Sequence, residues 1–307
     1  MINMIKANTF LKATATTLAA CILMACGGES SESNGSHIIT MSTPEMGASQ
    51  GKTVFSVKVT DNDLVARPGV TPNILPMMQM GEAMGGHMHS TPFTGCTETD
   101  GTGNAECTVY FLMPSEMNNV VMGTWDLAFS LPETDEEAIH FTPSVSMAMG
   151  DTVLAKLKGG QDDQVSMMSM SSMEMNDMPM TENRTYYIFN NGITGMGDSR
   201  SVELYVATKE SMTSFPTLNQ NLVLNDGSSN EMSVDSIQVQ VSSDNSTWIP
   251  AVSQGEGIWQ ASEISGLTET LYVSLAVNGE VKTTDGDVAG TTNASAPFTL
   301  SSGGMEM

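Results

Sequence analysis

Apolar residues return at every second position along much of this chain, and no long amphipathic helical repeat interrupts them. Phe55, Val57 and Val59 alternate with Ser56 and Lys58, the period of a strand with one buried face. Runs rich in β-branched and aromatic residues recur at 107–113, 125–131, 138–141, 152–157, 185–189 and 202–206. A second set follows at 236–241, 247–249, 257–261, 270–277 and 297–300, divided by turn signals such as Asn278-Gly279. Short strands at even spacing predict an all-β chain of two immunoglobulin-like β-sandwiches. The expected units are residues 51–210, carrying Met-rich loops, and residues 211–300, with a tail at 301–307. Trp248 and Trp259 are expected in the core of the second unit, an exposed sugar platform being the alternative.

The first 25 residues read as a processing segment and not as structure. Lys6 and Lys12 precede an apolar region from Ala13 to Met24, and Leu23-Met24-Ala25-Cys26 closes it. This resembles the lipobox of bacterial lipoproteins, in which the leader is cut before the cysteine and that cysteine carries lipid. Cys26 is then the anchor and residues 26–50 a lipidated, flexible tether. Gly27, where an Asp would favour inner-membrane retention, implies the outer membrane, facing the periplasm or the cell surface. No later stretch reaches the roughly 18 apolar residues of a membrane span.

Removing the leader takes away two lysines and no acids, so the net charge of −24 becomes −26. That excludes nucleic acid as a partner, because phosphate would be repelled. Of the cysteines outside the leader, Cys96 and Cys107 flank an Asp100-Gly101 hairpin signal. A disulfide is the favoured reading in an oxidising compartment; a thiolate pair for metal is the alternative.

Methionine carries the functional signal. Met168, Met170, Met173, Met175, Met178 and Met180 form three M-x-M pairs at five-residue intervals, in a run without Leu, Ile, Val or Phe. Pro179 and the Ser, Asn and Asp spacers argue for an extended or disordered loop. A second cluster contains Met77, Met78, Met80, Met84, His87, Met88 and His89. Outside the leader the chain has six M-x-M pairs, about threefold the number that random placement would give. Cores use Met to fill gaps; a run that takes Met and refuses Leu selects sulfur, a soft ligand suited to Cu(I). In an extended segment residues i and i+2 lie about 6.5–7 Å apart on one side, so two thioethers can converge on one ion. His87 and His89 add nitrogen ligands suited to Cu(II), a solvated loop being the alternative. Too few Cys, His and acids stand at fixed spacing for zinc.

The N-terminal unit resembles the YtkA-like/FixH-like β-sandwich domains associated with copper handling. The resemblance rests on the strand from Val54 to Asp61, Pro68-Gly69, the segment from Met77 to His89, Cys107-Thr-Val-Tyr-Phe-Leu-Met113, and Met122-Gly-Thr-Trp125-Asp-Leu-Ala-Phe129. It covers roughly residues 50–131, and the Cys pair and the insertion at 114–121 depart from it. It implies copper association and brings Met122 near the first Met/His cluster.

No phosphate loop, G-x-S-x-G or H-E-x-x-H is present, so a non-enzymatic role is expected. Asp162-Asp163 and Glu136-Glu137 read as solvated faces, His140 as a core histidine, and His37 as part of the tether. The leading expectation is an envelope lipoprotein that binds Cu(I), or Ag(I), for buffering, tolerance or delivery to a copper-accepting envelope protein. The alternative is a structural or adhesive envelope lipoprotein without a specific metal. A third reading treats the methionines as an oxidant sink.

Overall fold

The structure is a computed structural model that describes residues 29–34, 37–81, 85–132, 134, 137–167 and 180–301. It is all-β: two immunoglobulin-like sandwiches whose main sheets are antiparallel, with one short 3-10 turn at Gly197–Ser199 among the described residues. No described helix is long and apolar enough to cross a membrane.

In the first sandwich one sheet runs in the order Glu29–Asn34, His37–Ser42, Gly51–Asp61, Asn104–Phe111, Phe93–Cys96. The facing sheet runs Ile139–Phe141, Gly123–Ser130, Asn73–Met80, Met88–Ser90. The alternation read from Phe55, Val57 and Val59 is realised: all three are fully buried, with Ser56 and Lys58 exposed. They meet Trp125, Leu127 and Phe129 of the facing sheet in one core. The insertion at 114–121 forms a small hairpin, Glu116–Met117 against Val120–Val121. Its turn residues Asn118 and Asn119 have φ of 53° and 63°, the left-handed pair that asparagine tolerates in a tight hairpin.

Two expectations change here. Residues 37–42, read as tether, pair along their length with Gly51–Asp61, because Ile39 and Met41 alternate into the core. His37 is buried with them. The segment holding Met77, Met78 and Met80 is not a loop but an interior strand, paired on one side with Gly123–Ser130 and on the other with Met88–Ser90. Ile74, Pro76 and Met78 supply its buried face.

The second sandwich has a sheet in the order Leu154–Lys158, Thr185–Thr194, Arg200–Thr208, Ile258–Ile264, Val252–Gly255. Facing it are Ile249–Pro250, Ile237–Ser242, Thr270–Val277 and Glu280–Val281, with Ala296–Thr299 also on Thr270–Val277. Arg200–Thr208 pairs with Ile258–Ile264, so a boundary at residue 210 falls inside a sheet; the strands change sandwich between Ser146 and Leu154. Trp259 is in this core, whereas Trp248 is only half-buried.

The sheet that crosses residue 210 is covered on both faces. Tyr186, Ile188, Leu204 and Val206 point into the second core. Tyr187, Phe189, Tyr205 and Ala207 point the other way, onto Tyr110 of the first sandwich. Double coverage accounts for the continuous apolar run at 186–189, which a half-exposed strand would break with polar residues. Tyr110 stacks on Tyr205 with centroids 3.8 Å apart and planes within 10°, and its hydroxyl accepts from Asn191 Nδ2 at 3.3 Å. Burial pushes the phenols of Tyr110 and Tyr187 up to about 12.

Candidate functional site

Three adjacent strands bring His89, Met78 and Trp125 into one cross-strand row: Met78 is the register partner of His89 on one side and of Trp125 on the other. All three side chains are buried, with His89 5 % exposed and the other two at 0 %, so the row faces the core. Its fourth member comes from the opposite sheet. Met113 follows the strand Asn104–Phe111, and its Sδ lies 3.4 Å from His89 Nε2. The Trp125 indole N–H donates to the Met113 carbonyl at 3.2 Å, fixing the backbone that carries this sulfur. The His89 and Trp125 rings meet edge to face, 5.4 Å between centroids.

The protonation state of His89 follows from its partners. Nδ1 lies 2.8 Å from the Ser90 carbonyl oxygen, which can only accept, so Nδ1 carries the hydrogen. Burial holds the imidazole below its ordinary pKa. The ring is therefore neutral at pH 7, and Nε2 turns a lone pair toward a thioether. Nitrogen and sulfur then face each other at the margin of the core, His89 buried and Met113 half-buried. This is a pre-formed donor pair without a proton between its members.

The remaining expected ligands separate from this pair. Met77 and Met80 are half-buried, while His87 and Met88 are exposed at the outer edge of the sheet. Met122 is buried near the start of the neighbouring strand, where its carbonyl accepts from Gly81 N at 3.0 Å. The backbone thus brings it beside the Met77–Met80 segment. Met84, Met168, Met170, Met173, Met175, Met178 and Cys26 lie outside the described residues. Met180 opens the strand Met180–Asn183 as the register partner of Met167. Among the described residues no group of three or more His, Cys, Asp or Glu side chains could hold a metal. Cys96 and Cys107 form a disulfide across paired strands, and the thiolate alternative is removed. Met113 belongs to no M-x-M pair, which is why its pattern gave no signal; only the approach of two sheets puts it beside His89.

Two other polar residues differ from the sequence reading. His140 is exposed and paired with Asp126 at 2.8 Å, not a core histidine. Asp163, expected on a solvated face, is 1 % exposed. Its carboxylate accepts from Arg184 Nε at 2.8 Å, Lys282 Nζ at 2.7 Å and Tyr186 OH at 2.6 Å. Arg184 also pairs with Glu210, and Lys282 with Glu280 at 3.2 Å. Burial and the neighbouring Asp163 charge raise the Tyr186 phenol well above its ordinary value. Asp163 and Arg184 immediately flank the hairpin of Gln164–Met167 and Met180–Asn183, and Arg184 N donates to Asp163 O at 2.9 Å. The cluster therefore clamps the root of the segment that carries the M-x-M run.

No protein-family model and no curated protein matches the chain. Solved structures match it at low identity. A conserved domain protein from Bacillus anthracis is 10 % identical over 83 % of this chain and 78 % of its own, with a TM-score of 0.33. Domains 5–6 of the S-layer protein SbsC are 9 % identical over 90 % of this chain and 100 % of theirs, TM-score 0.22. The Escherichia coli adhesin FdeC is 15 % identical over 90 % of this chain and 67 % of its own, TM-score 0.23. None of these descriptions names a YtkA-like or FixH-like protein, and at such TM-scores the likenesses carry no argument.

Proposed function

We propose that the chain is a non-catalytic, lipid-anchored protein of the cell envelope whose two sandwiches act as one structural or adhesive unit. The observation that carries this reading is the doubly covered sheet, in which Tyr110 of one sandwich is stacked on Tyr205 of the other. A buried aromatic joint makes the pair a rigid unit, as a surface spacer or contact module requires, whereas an exposed linker would leave independent domains. Cys26, behind its leader, supplies the attachment to the outer membrane, and the strongly acidic surface keeps the unit soluble. The test is complementation of a deletion strain scored for envelope integrity and surface attachment. A variant with leucine for methionine at 168, 170, 173, 175, 178 and 180 restores the phenotype, and Tyr110→Ala restores it poorly. The opposite ranking refutes the proposal.

A second reading has one specific observation in its favour. Capture of Cu(I) or Ag(I), for buffering, tolerance or delivery, is supported by the His89 Nε2 contact with Met113 Sδ, which places an imidazole nitrogen beside a soft thioether. Competition for Cu(I) against a chromogenic chelator tests it; no competition by the chain from Gly27 to Met307 removes it.

A further inference from the structure

We infer that His89 Nε2, Met113 Sδ and the thioether of Met78 form one largely buried site, Met113 at its margin, for a monovalent soft cation, Cu(I) or Ag(I), beside the indole of Trp125. The inference deepens the soft-metal reading and rests on it, but it moves the high-affinity site from the Met-rich segments to the sandwich core.

Geometry is the first argument. Take about 2.0 Å for a metal–imidazole bond and about 2.3 Å for a metal–sulfur bond, as found at zinc. Two donors 3.4 Å apart then subtend about 105° at a shared ion, close to the tetrahedral angle, with those bond lengths. The ion sits beside the nitrogen–sulfur line, and the two donors need little movement to accept it. Met78 stands next to His89 in the row, at the usual cross-strand neighbour distance of about 5 Å between Cβ atoms, so its flexible thioether supplies the third ligand.

Chemistry is the second. A neutral imidazole whose other nitrogen donates to a backbone carbonyl is fixed in tautomer and orientation, as metal-bound histidines are. Two thioethers and one imidazole carry no charge, so the site suits an ion of charge +1; a divalent ion buried there would lack neutralising carboxylates. The disulfide keeps Cys96 and Cys107 from competing for the ion. Access runs along the sheet edge, where His87 and Met88 are exposed immediately before buried His89. These two take the hydrated ion first and pass it inward.

Silver(I) is the probe, because it needs no reductant. The chain from Gly27 to Met307, which retains every described strand, is titrated with Ag(I) while tryptophan emission and the 15N resonances of His89 are followed. The comparison set is wild type, Met113→Leu, and the variant with leucine at the six methionines from 168 to 180. Met113→Leu conserves volume and keeps the fold. The expected result is one tightly held ion in wild type and in the six-leucine variant, with Trp125 quenched and His89 Nε2 shifted. Met113→Leu lowers that affinity about tenfold or more. Binding by wild type with His89 unshifted and Met113→Leu unaffected overturns the buried site while leaving soft-metal capture to the exposed methionines. No Ag(I) retention by wild type overturns both.

Discussion

Replacing Asp163 by alanine removes the one carboxylate that Arg184 Nε, Lys282 Nζ and Tyr186 OH share. Arg184 and Lys282 are 0 % and 1 % exposed, so bulk solvent does not reach the charges left behind. Breaking a buried ion pair from one side costs about 3–5 kcal/mol, most of it the penalty of the charge left behind. Two cations are left here, but Glu210 and Glu280 still neutralise part of each, which keeps the loss within that range. With a urea slope of about 2 kcal/mol/M, a 4 kcal/mol loss lowers the unfolding midpoint by about 2 M. That is a large share of the roughly 5–15 kcal/mol that holds a domain folded. Urea unfolding followed by the emission of Trp259, in the same sandwich, measures it. Asp163→Leu combined with Lys282→Met, which removes charge from both sides, recovers part of the loss. If Asp163→Ala shifts stability by less than about 1 kcal/mol, the buried-charge argument fails.

Further outcomes follow from other contacts. Burial holds His89 below the ordinary histidine pKa, so the unfolded chain takes up a proton at about pH 6.5 that the folded chain refuses. Stability present above that pH therefore falls as pH drops below it. Urea midpoints between pH 7.5 and 5.5 check this, and His89→Gln flattens the dependence. Tyr110→Ala removes the stack on Tyr205 while sparing both sandwich cores; small-angle scattering shows a larger radius of gyration, and an unchanged radius speaks against a rigid joint. Reducing the Cys96–Cys107 bond, sequence separation 11, costs about 3 kcal/mol on the loop-entropy account, read as a lower unfolding midpoint in reductant. Gly103 has φ +82°, and an added Cβ would lie 2.6 Å from the Val59 carbonyl oxygen. Gly103→Ala therefore destabilises the first sandwich by about 1–3 kcal/mol, measured by thermal unfolding.

Most of the strands of five or more residues were legible one at a time, and most of the shorter ones were not. Phe55, Val57 and Val59 announced their strand because period two is a local property, and the Cys96–Cys107 bridge followed from a turn signal between the two cysteines. The Met77–Met80 strand was hidden, since methionine has weak strand preference and the Met/His density suggested a loop. Asp163 was hidden for a different reason. A lone acid beside Asp162 carries no mark of burial, and its partners Arg184 and Lys282 lie 21 and 119 residues away. Met113 was likewise silent, because a donor pair exists only once two sheets approach.

For alternating segments such as Val54–Thr60, the chain itself determined that they would be strands and which face would turn inward, because side-chain alternation needs no distant partner. Tertiary structure alone decided which strands would share a sheet, that Arg200–Thr208 would pair across residue 210 with Ile258–Ile264, and which methionines would be sealed beside a histidine. Strand pairing is satisfied by backbone groups common to every residue. Partner choice is therefore settled by the surface that two sheets can bury together, a property of the assembled sandwich and not of any local run of residues.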